Sequence, residues 1–201
     1  MTIEMWDGRY TEAASQGETV WRLSHNEWIE QLVDGITPGR AVDLGAGEGR
    51  NAIWLATQGW GVTAVDFSAV GIGTGRARAL AAGVELDWVV ADATTCVAPD
   101  LVDLVDLVVI IYLQLPHDGI VAAVRNAIGY LAPGGMLAVL SHDRENMDRG
   151  VGGPRIPDIL HTVHGLTAAA AGLRIVECRQ VERPVEGGVA IDVRLLAVND
   201  A

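Results

Sequence analysis

The sequence predicts an α/β protein built on a seven-stranded, mostly parallel sheet with helices on both faces. Apolar runs of strand length, bounded by turn residues, occur seven times along the chain. Stretches with helical spacing separate the first five runs, which is typical of a parallel sheet whose faces are covered by helices. Only 13 residues, around Arg183-Pro-Val-Glu-Gly-Gly188, separate the last two runs, about the minimum for a parallel crossover, which usually contains a helix. We therefore expect the last two strands to form an antiparallel hairpin.

The elements follow one another in a regular order. The predicted strands cover 41–44, 62–65, 86–91, 104–113, 136–140, 173–177 and 191–198. The stretches with helical spacing cover 50–58, 69–82, a short and poorly patterned 94–100, and 117–131. Gly71, Gly73 and Gly75 predict a frayed or irregular helix over 69–82, because each glycine costs about 1 kcal/mol relative to alanine.

Length and composition favour a single domain that spans residues 1–201, half of which are apolar. Within it, residues 1–35 are predicted to form a helical flank or lid, and residues 36–201 a Rossmann-like core. The polar flank carries Trp6, Trp21 and Trp28, whose burial needs a partner surface. Closure over a ligand and permanent packing against the helices of the sheet both satisfy that need. The long charged segment 143–157 is expected to be a functional or mobile loop.

Charge narrows the class of partner. The net charge is −12 and all fourteen basic residues are arginines. Binding to nucleic acid or to anionic lipid is disfavoured, since both need clustered positive charge, and lysine chemistry is excluded. The most apolar stretch, 101–115, is too short for a bilayer span, and the start of the chain has no signal-like pattern. We expect a cytoplasmic protein with a small-molecule partner, reduced thiols at Cys96 and Cys178, and no metal site.

A glycine-rich turn joins the first strand to its helix in Asp43-Leu-Gly45-Ala46-Gly47-Glu-Gly49. Glycines allow the backbone to turn tightly and to approach a ligand at the start of a helix. The third glycine follows the second after two positions, whereas a dinucleotide fingerprint needs three. Asp43 would also repel a diphosphate. The turn therefore indicates a ligand other than a dinucleotide, with a purely structural glycine turn as the alternative.

Acidic residues also end the second and third strands. Asp66 lies where a carboxylate can accept hydrogen bonds from both ribose hydroxyls of an adenosine, and we expect it to project into a wet pocket. Asp92 ends the third strand, within reach of an adenine amino group. Either residue alone could be a helix cap. Together with Asp43 they predict an acidic site along one edge of the sheet.

These motifs resemble those of class I S-adenosylmethionine-dependent methyltransferases. The segment 43–49 is similar to the first motif of that family, 65–68 to the second, 91–93 to the third, and 131–135 to the turn before the fifth strand. The start Trp6-Asp-x-Arg-Tyr10 and the continuation Gly49-Arg-Asn51 resemble the small bacterial members that modify tellurite or thiopurines. The resemblance implies the strand order 3-2-1-4-5-7-6, with strand seven antiparallel.

S-adenosylmethionine is the cofactor that this resemblance implies. Asp43 would accept from its ammonium group, directly or through water, and Asp66 would hold its ribose. Ile111 and Tyr112, at the end of the fourth strand, would line the methionine part. The full implied binding set is Asp43, Gly45, Ala46, Gly47, Asn51, Asp66, Phe67, Ser68, Asp92, Ala93, Ile111 and Tyr112.

The expected reaction is methyl transfer to a small-molecule acceptor, which needs a base only if the acceptor loses a proton. His142, at the end of the fifth strand, is the preferred base. The other candidates to activate or position the acceptor are Asp143, His117, Tyr10 and His25. His161 and His164 are expected on a helix face.

Two other functions stay open from the sequence. A non-catalytic protein that senses S-adenosylmethionine or its demethylated product would share every cofactor motif. A nicotinamide-dependent oxidoreductase is disfavoured by the glycine spacing and by Asp43.

Overall fold

Two compact units, residues 1–96 and 97–201, make up the chain in the computed structural model. The structure describes residues 2–21, 24–96 and 99–201. Residues 22–23 of the predicted flank and residues 97–98 of the predicted short helix lie outside the described residues. The division into flank and core within a single domain stays a prediction.

The first unit contains two flanking helices and three strands. Its elements are α1 (Ile3–Ser15), α2 (Glu27–Val33), β1 (Arg40–Leu44), α3 (Arg50–Thr57), β2 (Gly61–Asp66), α4 (Ala69–Ala82) and β3 (Asp87–Val90). The strand β2 pairs in parallel with β1 and with β3. Side chains of Thr2, Asn26 and Ser68 accept backbone N–H groups at the starts of α1, α2 and α4, which fixes where those helices begin.

The second unit contains the other four strands. Its elements are β4 (Val105–Ile111), α5 (His117–Ile128), β5 (Leu131–His142), α6 (Asn146–Arg149), α7 (Val163–Ala169), β6 (Arg174–Val185) and β7 (Gly188–Val198). Single 3₁₀ turns cover Pro99–Leu101 and Pro157–Ile159. The strand β5 pairs in parallel with β4 and antiparallel with β7, which also pairs antiparallel with β6.

All seven strands form one sheet in the order β3-β2-β1-β4-β5-β7-β6. This order and the antiparallel β7 confirm the predicted fold. Large apolar side chains of the strands and of the helices beside them are fully buried. In the first unit they are Ile29, Leu44, Leu55 and Ile72, and in the second Leu107, Ile110, Ile120, Leu131, Leu137, Leu166, Ile191 and Leu195.

Three elements differ most from their predictions. The strand β5 begins at Leu131, not at 136, and its ladder with β4 is irregular between Val105 and Leu107. The strand β6 runs on to Val185, because the hairpin keeps pairing as far as Val185 and Gly188. The described residues of the stretch 94–100 form no α-helix. The backbone carbonyl of Asp92 closes a single turn there by accepting from the N–H groups of Thr95 and Cys96.

The prediction of a frayed helix over 69–82 was wrong. α4 is continuous from Ala69 to Ala82 and ends at Gly83, which adopts a left-handed conformation. Two of its glycines are sites of close packing: a Cβ added to Gly71 would lie 3.0 Å from Tyr10, and one added to Gly75 would lie 2.5 Å from Trp88. The low helix propensity of these glycines is therefore offset by close contact with aromatic rings.

Other expectations concern membranes, metals and thiols. None of the described helices combines the length and the apolar character needed to cross a bilayer. In the described ranges, no three His, Cys, Asp or Glu side chains are grouped so that they could hold a metal ion. Cys96 and Cys178 are free thiols, and Cys96 is buried.

Candidate functional site

The glycine turn after β1 is fastened to the neighbouring strand. Gly45, Gly47 and Gly49 have φ values of 81°, 57° and 75°, which side chains disfavour. The backbone N–H groups of Gly45 and Ala46 both donate to the carbonyl of Val65, at 2.8 and 3.0 Å. The turn is thus held at the carboxyl ends of two parallel strands, where α/β proteins bind ligands.

Asp43, just before the turn, is a buried carboxylate with one oxygen unused. Its side chain is fully buried, and Oδ2 has no hydrogen-bond partner among the described residues. Burial raises the pKa of Asp43 to about 7, although the positive charge of Arg50 opposes the shift. A buried acceptor without a partner is costly, and a bound ammonium group would relieve that cost.

Asp66 is buried, not projecting into a wet pocket as we expected. Its Oδ2 accepts from the N–H of Gly47 at 2.9 Å, and its Oδ1 accepts from the N–H of Ser68 at 2.8 Å. Burial raises the pKa of Asp66, against the effect of these two hydrogen bonds. Asp66 therefore connects the glycine turn after β1 to the start of α4.

The N-terminal flank lies directly over this turn. A Cβ added to Gly47 would lie 2.7 Å from the hydroxyl oxygen of Tyr10, which is buried together with Trp6. Ser68 donates to the carboxylate of Asp7, and the N–H of Val20 donates to the carboxylate of Glu48 at 3.0 Å. The predicted flank is thus packed on the predicted cofactor turn, and its opening and closing stay a prediction.

The remaining predicted cofactor residues of the first unit have mixed surroundings. Asn51 is buried and accepts from the N–H of Asn26 at 2.9 Å, which ties α3 to the start of α2. Phe67 is half-buried and Ala93 is buried. Asp92 is exposed, and its Oδ1 accepts from the N–H and the hydroxyl of Thr94 at 2.8 and 2.7 Å.

The second unit contains a cluster that we call the Asp192 cluster, formed by Tyr112, His142, Arg183 and Asp192. Nδ1 of His142 lies 2.9 Å from Oδ1 of Asp192. The hydroxyl of Tyr112 and Nε of Arg183 both donate to Oδ2 of Asp192, each at 2.7 Å. The register of β5 and β7, which places His142 opposite Asp192, brings the central pair together.

Hydrogen bonding keeps Asp192 ionised although it is buried. Burial by itself would raise the pKa of Asp192, but the bonds from His142, Arg183 and Tyr112 outweigh it and lower the pKa. The same burial, with the negative charge of Asp192, raises the pKa of Tyr112. Because Nδ1 of His142 faces Asp192, the ring presents Nε2, which has no partner in the described chain. A carboxylate that orients an imidazole in this way suits proton transfer at the other nitrogen.

The end of β4 is strained at the cluster. Tyr112 has a φ of 56°, rare for a residue with a side chain, while Ile111 before it is buried. The rings of Tyr112 and His142 lie 4.7 Å apart between centroids. Such strain persists only where surrounding contacts hold it, and here Asp192 and Arg183 bond the tyrosine hydroxyl.

Hydrogen bonds of the Asn146 side chain hold the segment 143–157, which follows β5, against the rest of the second unit. The Asn146 amide donates to the carbonyl of Gly152 at 2.9 Å and accepts from the N–H of Ile191 at 2.7 Å. Gly153 lies against His142, since a Cβ added there would be 3.1 Å from Nδ1 of the imidazole. The segment 143–157 therefore forms one wall beside the imidazole.

The other candidate bases have different surroundings. Asp143 is buried and accepts from the side-chain amide of Gln180 and the N–H of Glu145, both at 2.9 Å. His25 stacks on Trp54 and pairs with Glu30. His117 begins α5.

The expectation for His161 was wrong, whereas His164 is exposed on α7. His161 precedes that helix and is buried, and neither ring nitrogen has a hydrogen-bond partner among the described residues. Burial, together with the nearby His117, lowers the pKa of His161 to about 4.

Sequence reasoning missed Asp192 and Arg183. Both lie in the terminal hairpin, for which the sequence predicted a fold but no chemistry. A signal was present in Ala-Ile-Asp192-Val, because a carboxylate inside an apolar strand run is rarely buried without a partner. Identifying the partner required the register between β5 and β7.

Comparisons with known proteins support the fold. Residues 41–135 match a family model described as a methyltransferase domain. No curated protein matches the sequence.

Among solved structures, N-methyltransferase NodS from Bradyrhizobium japonicum WM9, in complex with S-adenosyl-L-homocysteine, has a TM-score of 0.71 at 19% identity, covering 96% of this chain and 99% of NodS. TehB from Haemophilus influenzae has a TM-score of 0.71 at 17% identity, and the match covers 87% of this chain and 62% of TehB. The [4+2]-cyclase SpnF has a TM-score of 0.73 at 18% identity, and the match covers 98% of this chain and 94% of SpnF.

At these identities the likeness to solved structures is a likeness of fold, and the methyltransferase-domain model matches residues 41–135. The matched residues contain the glycine turn, Asp66, Asp92 and the whole of β4. The chain therefore has the fold of the solved methyltransferase structures, and its residues 41–135 are similar to a methyltransferase domain.

Proposed function

We propose that the first unit binds S-adenosylmethionine and that the second unit activates a small-molecule acceptor for methyl transfer. The unused, fully buried Oδ2 of Asp43 beside the glycine turn carries the cofactor assignment, because it matches a ligand with an ammonium group. The cofactor supplies a sulfonium-bound methyl group with a ready leaving group. The protein then has to orient the acceptor, exclude water and remove a proton where the acceptor has one to lose.

Five residues of the first unit would form the centre of the cofactor site. Asp43 would accept from the ammonium group, and the turn at Gly45 and Gly47 would pass beneath the methionine part. Asp66 would turn toward the ribose hydroxyls while it supports the turn, and the exposed Asp92 would face the adenine edge. Phe67, Ser68, Asn51, Ala46 and Ala93 would complete the walls.

The acceptor side depends on His142. With Nδ1 held by ionised Asp192, the imidazole is oriented to take a proton at Nε2 from a hydroxyl, amine or thiol. Ile111 and Tyr112 would line the approach to the methyl group. The acidic chain makes a nucleic-acid acceptor unfavourable, which leaves a small molecule.

The Asp192 cluster also favours an enzyme over a protein that only senses the cofactor. A sensor needs the cofactor residues alone, whereas a buried carboxylate that orients an imidazole by its Nδ1 has no part in binding an adenosyl ligand. A nicotinamide cofactor would place its diphosphate near Asp43, a buried group that prefers a cation.

Two measurements test the proposal. Calorimetry is expected to show that S-adenosylhomocysteine binds in the micromolar range and that NAD binds far more weakly. Tighter binding of NAD would contradict the proposed cofactor. Methyl transfer is then followed across a panel of hydroxy, amino and thiol compounds. With an acceptor from that panel, His142→Gln is expected to lower turnover by roughly 10²- to 10⁴-fold at unchanged cofactor affinity. His164→Gln, on the exposed face of α7, is the matched control and should leave turnover unchanged.

A further inference from the structure

We propose that Arg183 binds a carboxylate of the methyl acceptor, so that the acceptor is a small acid with its nucleophilic group close to its carboxylate. The proposal rests on the proposed function and names the substrate class of that same site. It starts from a side chain that neither the fold nor the cofactor motifs explain.

Among the described residues, Arg183 forms hydrogen bonds through only one of its three nitrogens. Nε donates to Oδ2 of Asp192 at 2.7 Å and to the hydroxyl of Tyr112 at 3.0 Å. In the described part of the chain, the terminal nitrogens Nη1 and Nη2 have no hydrogen-bond partner, and 41% of the side chain is exposed. The guanidinium is therefore anchored along one edge, and its terminal fork is available to a ligand.

The anchoring fixes the direction of the fork. Asp192 is fully buried and Tyr112 is half-buried, and both bond the Nε edge of the guanidinium. The Tyr112 ring also lies 5.6 Å from Cζ of Arg183. Two parallel N–H donors in a fixed plane match the geometry of a carboxylate, and pre-orientation reduces the entropy that binding must remove.

The chain as a whole repels anions, which makes a local cation necessary for an acidic substrate. With a net charge of −12, an acceptor bearing a carboxylate gains nothing from the long-range field. Arg183 would supply the attraction at the site itself.

His142 and Arg183 share one carboxylate, and this limits the spacing within the acceptor. His142 bonds Oδ1 of Asp192 and Arg183 bonds Oδ2. The two residues are therefore neighbours on either side of one carboxylate. A ligand that pairs with the fork and gives its proton to Nε2 of His142 needs its acid and its nucleophile only a few bonds apart. The geometry therefore favours hydroxy-, amino- or mercapto-carboxylic acids.

The test compares acids with their own amides. Binding of 2-hydroxybenzoate, lactate, 2-mercaptobenzoate and 2-aminobenzoate, each beside its carboxamide, is measured by calorimetry with S-adenosylhomocysteine present. At least one acid is expected to bind about tenfold or more tightly than its amide, since a bidentate charge-assisted pair is lost in the amide. If no acid binds more tightly than its amide, the proposal is overturned.

Substitutions identify the residue responsible. Arg183→Gln is expected to remove the preference for the acid, and Arg183→Lys to keep only part of it, because lysine presents a point charge without a fork. Arg179→Gln, on the same strand and ion-paired with Glu177, is the matched control and should keep the preference. A preference that survives in a folded Arg183→Gln variant would show that the ion pair with Asp192 is purely structural.

Cofactor binding separates this proposal from the proposed function. Wild type and all three variants are expected to bind S-adenosylhomocysteine equally well. Loss of that affinity in Arg183→Gln alone would assign the guanidinium to the carboxylate of the cofactor and overturn the acceptor assignment. Failure of the wild type to bind S-adenosylhomocysteine would overturn the proposed function instead.

Discussion

We infer that Asp66 combines two roles that the sequence presented as alternatives. From the sequence, Asp66 is either a ribose ligand, whose loss would weaken cofactor binding, or a helix cap, whose loss would lower stability. The buried oxygens of Asp66 accept from the N–H groups of Gly47 and Ser68, so the residue supports the turn in addition to its proposed contact with the ribose. Asp66→Ala is therefore expected to lower the free energy of unfolding by about 2 kcal/mol and to weaken S-adenosylhomocysteine binding roughly 10- to 100-fold.

Urea unfolding and calorimetry on this variant check both effects. Asp92→Ala is the control, since Asp92 is exposed and its side chain bonds only Thr94 among the described residues. That variant should lose affinity with less than about 1 kcal/mol of stability. Unchanged stability in Asp66→Ala would contradict the supporting role of Asp66.

If Asp43 contacts the ammonium group as proposed, cofactor binding should depend on pH. The pKa of about 7, raised by burial, means that Asp43 is increasingly protonated below neutral pH in the free protein. A bound ammonium group would favour the ionised form, so binding below pH 7 must release a proton. The dissociation constant for S-adenosylhomocysteine is expected to be about tenfold larger at about pH 6 than at about pH 8, which follows from 1.36 kcal/mol per pKa unit.

Calorimetry in buffers of different ionisation enthalpy would detect the released proton directly. Arg50 and Asp66 also act on the Asp43 carboxyl, so a variant is needed to isolate its contribution. Asp43→Asn should bind more weakly at high pH and show little of the pH dependence. Equal affinities of the wild type at both pH values would place the ammonium group elsewhere.

At the level of the helix, α4 contains a matched pair of glycines. Gly75 packs against Trp88, with only 2.5 Å between an added Cβ and the ring, whereas Gly73 has nothing within 4 Å of an added Cβ. Gly73→Ala is expected to raise the free energy of unfolding by roughly 0.5–1 kcal/mol through helix propensity. Gly75→Ala should lower it by about 1–3 kcal/mol because the added methyl group overpacks the contact.

Urea denaturation of the two variants, which carry the same change in the same helix, checks this pair. If both variants were stabilised, Trp88 would be free to move aside and the contact would not explain the glycine.

The elements that sequence predicts well are those whose signal is local. β1, β2 and the start of α4 have apolar runs and turn or cap residues in the right places, and they lie within a residue or two of their predicted bounds. The full length of β5 and β6 could not be predicted, because Pro133 and the polar residues of β6 are not typical of strands. Pairing with the neighbouring strands maintains these segments. Tertiary pairing, not local propensity, decides such ends.

The same distinction applies to the candidate site. Asp43, the glycine turn and Asp66 are recognisable because they follow one another at fixed distances in sequence. The Asp192 cluster joins β4, β5, β6 and β7, and only the sheet register brings its members together. His161 shows the reverse error, because its sequence surroundings suggested an exposed helix face while the fold buries it before the helix begins.

For the whole molecule, the net charge of −12 should distinguish the cofactor from its product. S-adenosylmethionine carries one more positive charge than S-adenosylhomocysteine, and the two otherwise share their binding groups. The negative field of the protein should therefore favour the cofactor over the product, but only while salt does not screen it. The screening length falls from about 30 Å at about 0.01 M salt to about 3 Å at about 1 M.

Affinities of both ligands at these two salt concentrations test the effect. The dissociation constant of S-adenosylmethionine is expected to rise roughly two- to fivefold more than that of S-adenosylhomocysteine, because only the net charge differs between them. Comparing the pair removes effects of salt on the apolar contacts, which the two ligands share. An equal response would mean that buried groups near the sulfur, and not the charge of the whole chain, determine the difference between cofactor and product.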